Sequence, residues 1–366
     1  MGVGRLLTSI LCLTLLSLTA SAQVTITHLR DGASREVTGT LVAETLDQVR
    51  YDLGGRDRSV DTRDVLALSY GKGSSAFEQA KALLDQGDLD GALAQFAAAA
   101  GDSEPTWVAS QALLAQARTS ARLGQRGLAD ARAAVGGFLS RFPEHRLLPE
   151  AHVLAIEFAA SATDAQASAD AVVALADAGR ITPDWRAEAL LALGDLHLEN
   201  SDLRGASETF AAAERAATAG ARELSGREDL APRLAQQTLR ARVGSGSCLL
   251  AENDINGARG FYSQLLRDGK GDDIVSAAAG NGLAECDFIE GGKLKEAQLG
   301  FARVSLIAAG QPEEHARSLY YLGRCYAALA DEGTEPNGRA TATAYLQEVQ
   351  DRYPNTRWAR LARENP

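Results

Sequence analysis

The stretch LLALGDLHLENSDLRGASETFAAA, residues 190–213, decides the fold. Its apolar positions predict two amphipathic helices that follow each other closely in the chain. Gly194 in the first helix is small, and it is expected to meet the small Ala206 and the aromatic Phe210 of the second helix, so the two backbones can pack closely. Such a pair cannot bury its apolar face alone, so neighbouring pairs must stack against it.

Similar helix pairs recur from residue 76 onward, in a region rich in Ala and Leu with Gly and Pro at helix ends. A first helix often carries a small residue, and the turn into the second helix is followed by an alanine. The alanines that follow a turn are Ala92, Ala131, Ala206, Ala258, Ala297 and Ala344. Short segments such as GDLDGA, residues 87–92, precede the second helix. We therefore expect about six to seven helix pairs, with the third the least well defined.

The positions Leu193-Gly194, His197, Ala206, Phe210 and Ala213 resemble a tetratricopeptide repeat (TPR). The resemblance implies a mainly α protein, a right-handed α-solenoid over residues 76–366. The 34-residue period of the family is not kept strictly, so a HEAT-like or other α-solenoid remains the alternative. The RFPE and RYPN segments, residues 141–144 and 352–355, end a helix with an aromatic-Pro step. They resemble repeats of periplasmic TPR proteins, and Trp358 to Arg363 is expected to be a capping helix.

The first 22 residues have the pattern of an export signal. Arg5 precedes a nearly continuous apolar run, Leu6 to Leu18, and Ala20-Ser21-Ala22 supplies a small-x-small cleavage site. The run is shorter than the about 20 residues that a membrane span needs. Leu11 before Cys12 disfavours a lipoprotein. The sequence predicts an exported, periplasmic or secreted protein, with no membrane span in the mature chain.

Residues 23–70 differ from the rest because apolar and polar residues alternate there, which predicts four or five short strands. Asp31-Gly32 predicts a tight turn between the first two. The pattern resembles small SH3-like or Sm-like β-modules. Residues 71–75, GKGSS, are interpreted as a linker and not as a phosphate-binding loop, because the glycine that begins such a loop is missing.

The charge balance restricts the classes of partner. The chain has 37 basic and 48 acidic side chains and a net charge of −11. Nucleic-acid binding needs clustered Lys and Arg, so a nucleic-acid partner is not expected. Cys248, Cys286 and Cys325 recur nearly one repeat apart, at similar places in three first helices. They are interpreted as small buried packing residues without a redox or metal role.

Candidate catalytic groups are scattered. His28, His145, His152, His197 and His315 form no metal-binding pair at helical spacing, and His197 is interpreted as a packed histidine. Glu313-Glu314-His315 is interpreted as a solvated helix start. The segment GSGSC, residues 244–248, lies within a predicted helix, where its glycines permit close helix contact. No enzymatic activity, metal or cofactor is therefore expected.

In the TPR family the first helices line a concave groove. The resemblance therefore implies ligand-groove candidates, of which Arg317 and Arg324 could hold a carboxylate with two parallel hydrogen bonds. The candidates are Asp195, Glu199, Arg240, Ser247, Arg317, Tyr320 and Arg324.

The sequence thus indicates a non-enzymatic scaffold or adaptor of the cell envelope that binds a protein or peptide partner. One alternative is a structural accessory that self-assembles as a homo-oligomer, with the Ala-rich third repeat as its contact. Another is an accessory to a cell-wall enzyme that acts through the β-module, in which Tyr51 and Tyr70 are the few aromatics available to contact a sugar.

Overall fold

The computed structural model describes residues 23–102, 105–354 and 356–364. The expected export signal over residues 1–22 lies outside the described residues. Within them, a five-stranded antiparallel sheet precedes an array of helices, so the predicted fold class is confirmed.

The sheet has the strand order β4-β3-β2-β1-β5. The tight turn at Asp31-Gly32 is confirmed: both residues have positive φ, 52° and 75°, and Arg30 pairs with Ala33 across it. Val24 and Ile26 alternate with polar residues along the first strand, which buries one face of the sheet. The strands are β1 (Gln23–Arg30), β2 (Ala33–Glu44), β3 (Gln48–Asp52), β4 (Asp57–Asp61) and β5 (Val65–Tyr70).

Seven helix pairs and a final short helix follow in the described part of the chain. Consecutive helices pack against each other along the array, as a solenoid requires. The helices are α1 (Ser75–Asp85), α2 (Leu89–Ala100), α3 (Thr106–Ala121), α4 (Leu128–Arg141), α5 (Leu148–Glu157), α6 (Ala162–Asp177), α7 (Pro183–Glu199), α8 (Leu203–Glu223), α9 (Ala231–Ala251), α10 (Ile255–Asp268), α11 (Asp273–Glu290), α12 (Leu294–Ile307), α13 (Pro312–Asp331), α14 (Gly338–Arg352) and α15 (Arg357–Glu364).

An aspartate cap recurs where three second helices begin. The carboxylates of Asp88, Asp202 and Asp254 accept hydrogen bonds from the amide three residues later, at 2.9, 3.0 and 2.9 Å. Each satisfies an amide that the first turn of a helix leaves unpaired. The same local sequence, an aspartate followed three residues later by a small residue, therefore starts the second helix of pairs one, four and five.

Aromatic side chains of the second helices are held between glycines of two first helices. A Cβ atom on Gly194 of α7 would lie 2.8 Å from the Phe210 ring, and one on Gly244 of α9 would lie 2.5 Å from it. Gly246 of α9 and Gly282 of α11 approach Tyr262 in the same way, at 2.5 and 2.4 Å. The interpretation that the GSGSC glycines permit close helix contact is confirmed.

The three cysteines belong to the same packing. Cys248, Cys286 and Cys325 are buried and free, in α9, α11 and α13. Burial in apolar surroundings raises the pKa of the Cys248 and Cys286 thiols to about 11, which keeps them protonated and poorly reactive at neutral pH. The prediction that the cysteines are small buried packing residues is confirmed.

The sheet is joined to the helices by extensive contacts. The Leu46 amide donates to the Glu144 carbonyl at 2.7 Å, and the Leu46 side chain is buried beside Leu148 and Val153 of α5. Tyr70 stacks on Trp107 of α3 with ring centroids 4.5 Å apart. The β-module is therefore packed onto the solenoid and is not tethered to it by residues 71–75 alone.

Charged contacts extend this junction to the third and fourth pairs. Arg180 binds Asp47 at 3.0 Å, and the Arg63 guanidinium donates to the Gly179 carbonyl at 3.0 Å. Arg227, which precedes α9, donates to the Arg63 carbonyl at 2.9 Å. The sheet therefore fixes the relative position of several helix pairs.

Candidate functional site

First helices of the array line a central cavity of about 580 Å³. Side chains from α3, α5, α7, α9 and α13 contribute to its wall, and α15 lies along it. The wall of the cavity is strongly charged. The charged lining residues are Arg118, Arg122, Arg132, Glu157, Asp195, Glu199, Arg240, Glu313, Glu314, Arg317, Arg357, Arg360, Arg363 and Glu364.

The last helix reaches across the cavity to the fourth pair. Arg360 of α15 binds Glu199 of α7 through both guanidinium nitrogens, one of them at 2.9 Å. Arg357 lies 3.4 Å from the Asp195 carboxylate and 3.5 Å from that of Glu199. The sequence predicted only a capping helix here. In the structure α15 also joins the seventh pair to the fourth.

Five of the seven ligand-groove candidates line the cavity: Asp195, Glu199, Arg240, Ser247 and Arg317. Tyr320 and Arg324 are not part of its wall. Tyr320 is buried, and its hydroxyl accepts a hydrogen bond from Arg324 at 2.9 Å. The spacing along α13 placed these two residues on the groove side, but Tyr320 packs near Trp358 of α15 instead, with ring centroids 5.7 Å apart.

Arg317 was expected to offer its guanidinium to a ligand carboxylate, but the structure provides that carboxylate internally. The side chain is 2% exposed, and it donates to Glu285 of α11 at 2.7 Å. Glu285 also accepts from the Tyr321 hydroxyl at 2.6 Å. A buried guanidinium must be paired to offset its lost hydration, so Arg317 holds α13 against α11. The expectation of a freely accessible arginine at this position is wrong.

Asp195 and Glu199 differ although they lie one turn apart. Burial raises the pKa of Asp195, and the nearby Arg357 and Arg240 only partly offset this effect. At Glu199 burial acts in the same direction, but the hydrogen bonds and charges of Arg360 and Arg357 outweigh it and lower the pKa. Glu199 is therefore the carboxylate that α15 holds in its charged form.

Arg240 of α9 lies among the acids of the cavity wall. It binds Glu188 of α7 at 2.7 Å and lies 3.9 Å from Asp195. Its guanidinium is therefore already engaged by the protein.

Two of the acidic wall residues that were missed as site residues, Glu157 and Glu313, have raised pKa values. Reduced solvation of the carboxyl group in the cavity raises the pKa of Glu157 to about 7, and the charge of Glu188 adds to the effect. Burial likewise raises the pKa of Glu313 to about 7, against the opposing charge of Arg240. Neither has an ion-pair partner among the described residues. Glu157 is the last residue of α5, in the weakest repeat, so its place in the groove had no clear sequence signal.

The start of α13 departs from the expected solvated cap. Glu313 and Glu314 are in the first turn, as predicted, but both line the cavity. His315 is buried and its Nδ1 makes a hydrogen bond to the Tyr353 hydroxyl. His197, interpreted as a packed histidine, is partly buried, and its Nδ1 lies 2.7 Å from the Asp202 carboxylate at the turn into α8.

The aromatic residues of the β-module are engaged within the protein. Tyr51 is 7% exposed. Tyr70 stacks on Trp107, and its hydroxyl donates to Glu44 at 2.7 Å and accepts from Arg146 at 2.8 Å. Tyr51 is buried and Trp107 covers one face of Tyr70, so the two rings offer little surface for stacking on a sugar.

A second, largely apolar surface is formed by α10, α11 and α12 of the fifth and sixth pairs. Leu266 of α10 and Leu299 and Ile307 of α12 line a shallow groove of about 590 Å³. Leu306, next to Ile307, is 81% exposed. Contiguous exposed apolar side chains are typical of protein contact surfaces.

Within residues 23–102, 105–354 and 356–364, no group of three or more His, Cys, Asp or Glu side chains is arranged to hold a metal ion. None of the helices in that part of the chain combines the length and apolar character needed to cross a membrane.

No protein-family model matches the chain, and no curated protein matches it. Among solved structures, the chain is similar to a tetratricopeptide repeat protein from Parabacteroides merdae ATCC 43184. The two share 17% identity over 75% of this chain and 91% of that one, with a TM-score of 0.43. The TPR domain of P58(IPK) shares 16% identity over 79% of this chain and 95% of that one, with a TM-score of 0.28. Both similarities are weak, so the fold assignment rests on the helix pairs themselves.

Proposed function

We propose that this chain is a non-enzymatic scaffold of the cell envelope that holds a protein or peptide partner in its central cavity. The observation that carries the proposal is the cavity of about 580 Å³, to which five first helices contribute side chains. In a stacked array each pair adds a few residues to one continuous concave surface, which suits an extended partner better than a small reactant.

The chemistry of the wall supports a charged polypeptide as the partner. Small-molecule sites are mostly apolar with a few polar groups, whereas this wall carries many arginines and carboxylates, several of them paired with each other. Opposed charges of this kind favour selection of a partner and its orientation.

The same wall is a poor arrangement for nucleophilic catalysis. Among the described residues that line the cavity there is no histidine and no cysteine. Ser247, the serine in the wall, lies half-buried on α9 with no base placed to activate its hydroxyl. These observations support binding as the role of the cavity.

The envelope setting is part of the proposal and rests on the sequence of residues 1–22, with its short positive start, apolar run and Ala20-Ser21-Ala22 site. Purification of the protein from its native cells, followed by amino-terminal sequencing, tests it. The proposal expects a mature chain that begins at Gln23 in the extracytoplasmic fraction. A chain in the cytoplasm that retains Met1 would contradict it.

Photo-cross-linking tests the binding function. A photoreactive amino acid at Ser247, in the wall, is compared with one at Lys295, exposed on α12. We expect a cross-linked partner from the Ser247 variant in intact cells, because a bound polypeptide would pass within reach of this position. Adducts of the same identity and yield from both positions, or none from Ser247, would contradict a groove-bound partner.

Self-association is the second candidate, and the apolar surface around α12 favours it. The sequence pointed to the Ala-rich third repeat as the contact, but Leu299, Leu306 and Ile307 of α12 are three of the large apolar side chains that the described residues leave exposed, and Leu306 is the most exposed of them. Light scattering coupled to size exclusion separates the candidates. If the protein is a dimer, the variant Leu306→Glu/Ile307→Glu should be a monomer; a monomeric wild type removes this candidate.

A further inference from the structure

α15 has two differently built sides. Ala359 and Ala362 are fully buried against the last pair, in a cluster with Leu346 and Val349 of α14. Arg357 and Arg360 leave that cluster and meet the carboxylates of α7. Residues three apart lie on one face of a helix, so α15 is an amphipathic helix with a pair of arginines one turn apart.

The carboxylates that bind these arginines are also about one helical turn apart. Asp195 and Glu199 are four residues apart, on one face of α7. Arg360 engages Glu199 with two nitrogens, the geometry in which an arginine recognises a carboxylate best. The contact has the chemistry of a ligand helix on a receptor helix, although both belong to one chain.

This contact is held weakly enough to be exchanged. The side chains of Arg357, Arg360 and Asp195 are 28, 31 and 34% exposed, and partly exposed ion pairs contribute little each. A helix of eight residues is also marginal without its packing partners. The ion pairs between α15 and α7 can therefore be exchanged at low cost.

Further carboxylates in the cavity remain unmatched when α15 is in place. Glu157 of α5 and Glu313 of α13 line the same wall, and neither has an ion-pair partner among the described residues. The raised pKa of each carboxyl group reflects a poorly solvated negative charge that an added cation would stabilise. A longer helix with more arginines than α15 would find partners for them here.

We propose that the face of α7 formed by Asp195 and Glu199 is a recognition site for an arginine-bearing amphipathic helix of a partner protein, and that α15 occupies this site in cis until the partner displaces it. The inference rests on the proposed scaffold function and adds the chemistry of its partner: arginines one turn apart, next to small or aromatic side chains. Lysine suits the site less well because it cannot form the two parallel hydrogen bonds.

The test uses the full chain and a fluorescent peptide of residues 356–364, TRWARLARE. The receptor variant Arg357→Glu/Arg360→Glu repels its own α15 from α7. Fluorescence anisotropy should show that this variant binds the peptide at least tenfold more tightly than the wild type, in which α15 competes. A peptide with Glu in place of both arginines should not bind it.

Charge reversal of the receptor gives the matched control. Asp195→Arg/Glu199→Arg should lose the arginine peptide and bind the glutamate peptide, and circular dichroism shows whether each variant is folded. Equal binding of both peptides to all receptors would overturn the proposal. So would a wild-type dimer that Arg357→Glu/Arg360→Glu converts to monomer, because α15 would then serve a second copy.

In the Arg357→Glu/Arg360→Glu variant, α15 could stay attached through Ala359 and Ala362 and hide the effect. A second measurement, made on the wild type, therefore tests the proposal independently. Hydrogen exchange of residues 357–364 in the wild type should accelerate when the arginine peptide is in excess, and should not change with the glutamate peptide. Unchanged exchange, together with no peptide binding, overturns the inference. If the Ser247 cross-link persists in that case, the scaffold function stands and only the chemistry of the partner is wrong.

Discussion

Phe210 and Glu199 line the same cavity, but the contacts that they make are built from opposite chemistry. Phe210 is 1% exposed and lies between Gly194 and Gly244, with no room for another carbon atom. Glu199 meets Arg360 across a partly open gap, between residues far apart in the sequence. The first contact fixes how neighbouring pairs stack, and the second joins the seventh pair to the fourth across the groove. We call the contacts of Phe210 and Tyr262 with the glycines of two first helices the joints, and the ion pairs of Arg357 and Arg360 with α7 the closure. The joints are tightly packed, whereas the closure is partly exposed.

The largest loss of stability should come from removing the aromatic side chain that fills a joint. Phe210→Ala removes a ring that two first helices enclose, and we expect a loss of about 3–5 kcal/mol in the free energy of unfolding, as for other buried aromatics. Urea unfolding followed by far-UV circular dichroism measures it. The control Leu306→Ala, at an 81% exposed position, should change stability by less than about 0.5 kcal/mol. Similar losses from both variants would mean that the joint is not tightly packed.

The next largest loss of stability should come from adding a carbon atom to a joint that has no room for it. In Gly282→Ala the new Cβ would lie 2.4 Å from the Tyr262 ring, so we expect a loss of about 1–3 kcal/mol. Gly260→Ala makes the same change in α10, where no heavy atom lies within 4 Å. There alanine should stabilise the helix by up to about 1 kcal/mol. Both variants remove one glycine, so a comparison of their urea midpoints cancels the effect of that change on the unfolded chain. Shifts of the two midpoints in the same direction would contradict the account.

The joints could be predicted from the sequence because their parts are close together along the chain. Gly194, Ala206 and Phe210 fall within two adjacent helices, and their spacing reports a packing geometry that local sequence determines. The turn at Asp31-Gly32 and the buried Cys248 were predicted for the same reason: φ preferences and side-chain size act over short distances.

The closure could not be predicted in this way. The ion pair of Arg360 with Glu199 depends on the curvature accumulated over several pairs, and no local pattern encodes that curvature. The buried Arg317 shows the same limit, because its partner Glu285 lies in another repeat. The docking of Leu46 beside α5 was missed since the β-module carries no signal for what its edge contacts.

A smaller effect is expected at the closure. In a double-mutant cycle with Glu199→Gln and Arg360→Gln, the coupling energy should be about 0.5–1 kcal/mol, the upper part of the range for partly exposed pairs. The cycle Arg204→Gln with Glu208→Gln is the control, since these side chains are 88 and 66% exposed on α8. Its coupling should be smaller. A coupling at Glu199 and Arg360 no larger than the control would mean that α15 is not held by α7.

The pH dependence of the cavity is tested separately from these contacts. The folded chain raises the pKa of Glu157 and Glu313 to about 7, against about 4.3 in an unfolded chain. The folded state therefore binds more protons than the unfolded state between these values, and stability falls as pH rises through this window. Glu157→Gln/Glu313→Gln should unfold at a higher temperature than the wild type at about pH 8.

This difference should shrink as the pH is lowered toward about 5, where both carboxyl groups of the wild type are largely protonated in the folded state. Glu228→Gln, at an exposed position before α9, is the control and should show no such trend. A constant difference at all pH values would show that the two acids titrate normally in the cavity.

Hydrogen exchange in the variant Asp195→Asn/Glu199→Gln tests most directly whether the groove is closed in cis. The variant removes both carboxylate charges that α15 meets and leaves the joints at Phe210 and Tyr262 unchanged. The account predicts faster exchange of the amides of residues 357–364, with α8 and α10 as protected as in the wild type. Unchanged protection of residues 357–364, or protection lost along the whole array, would contradict it.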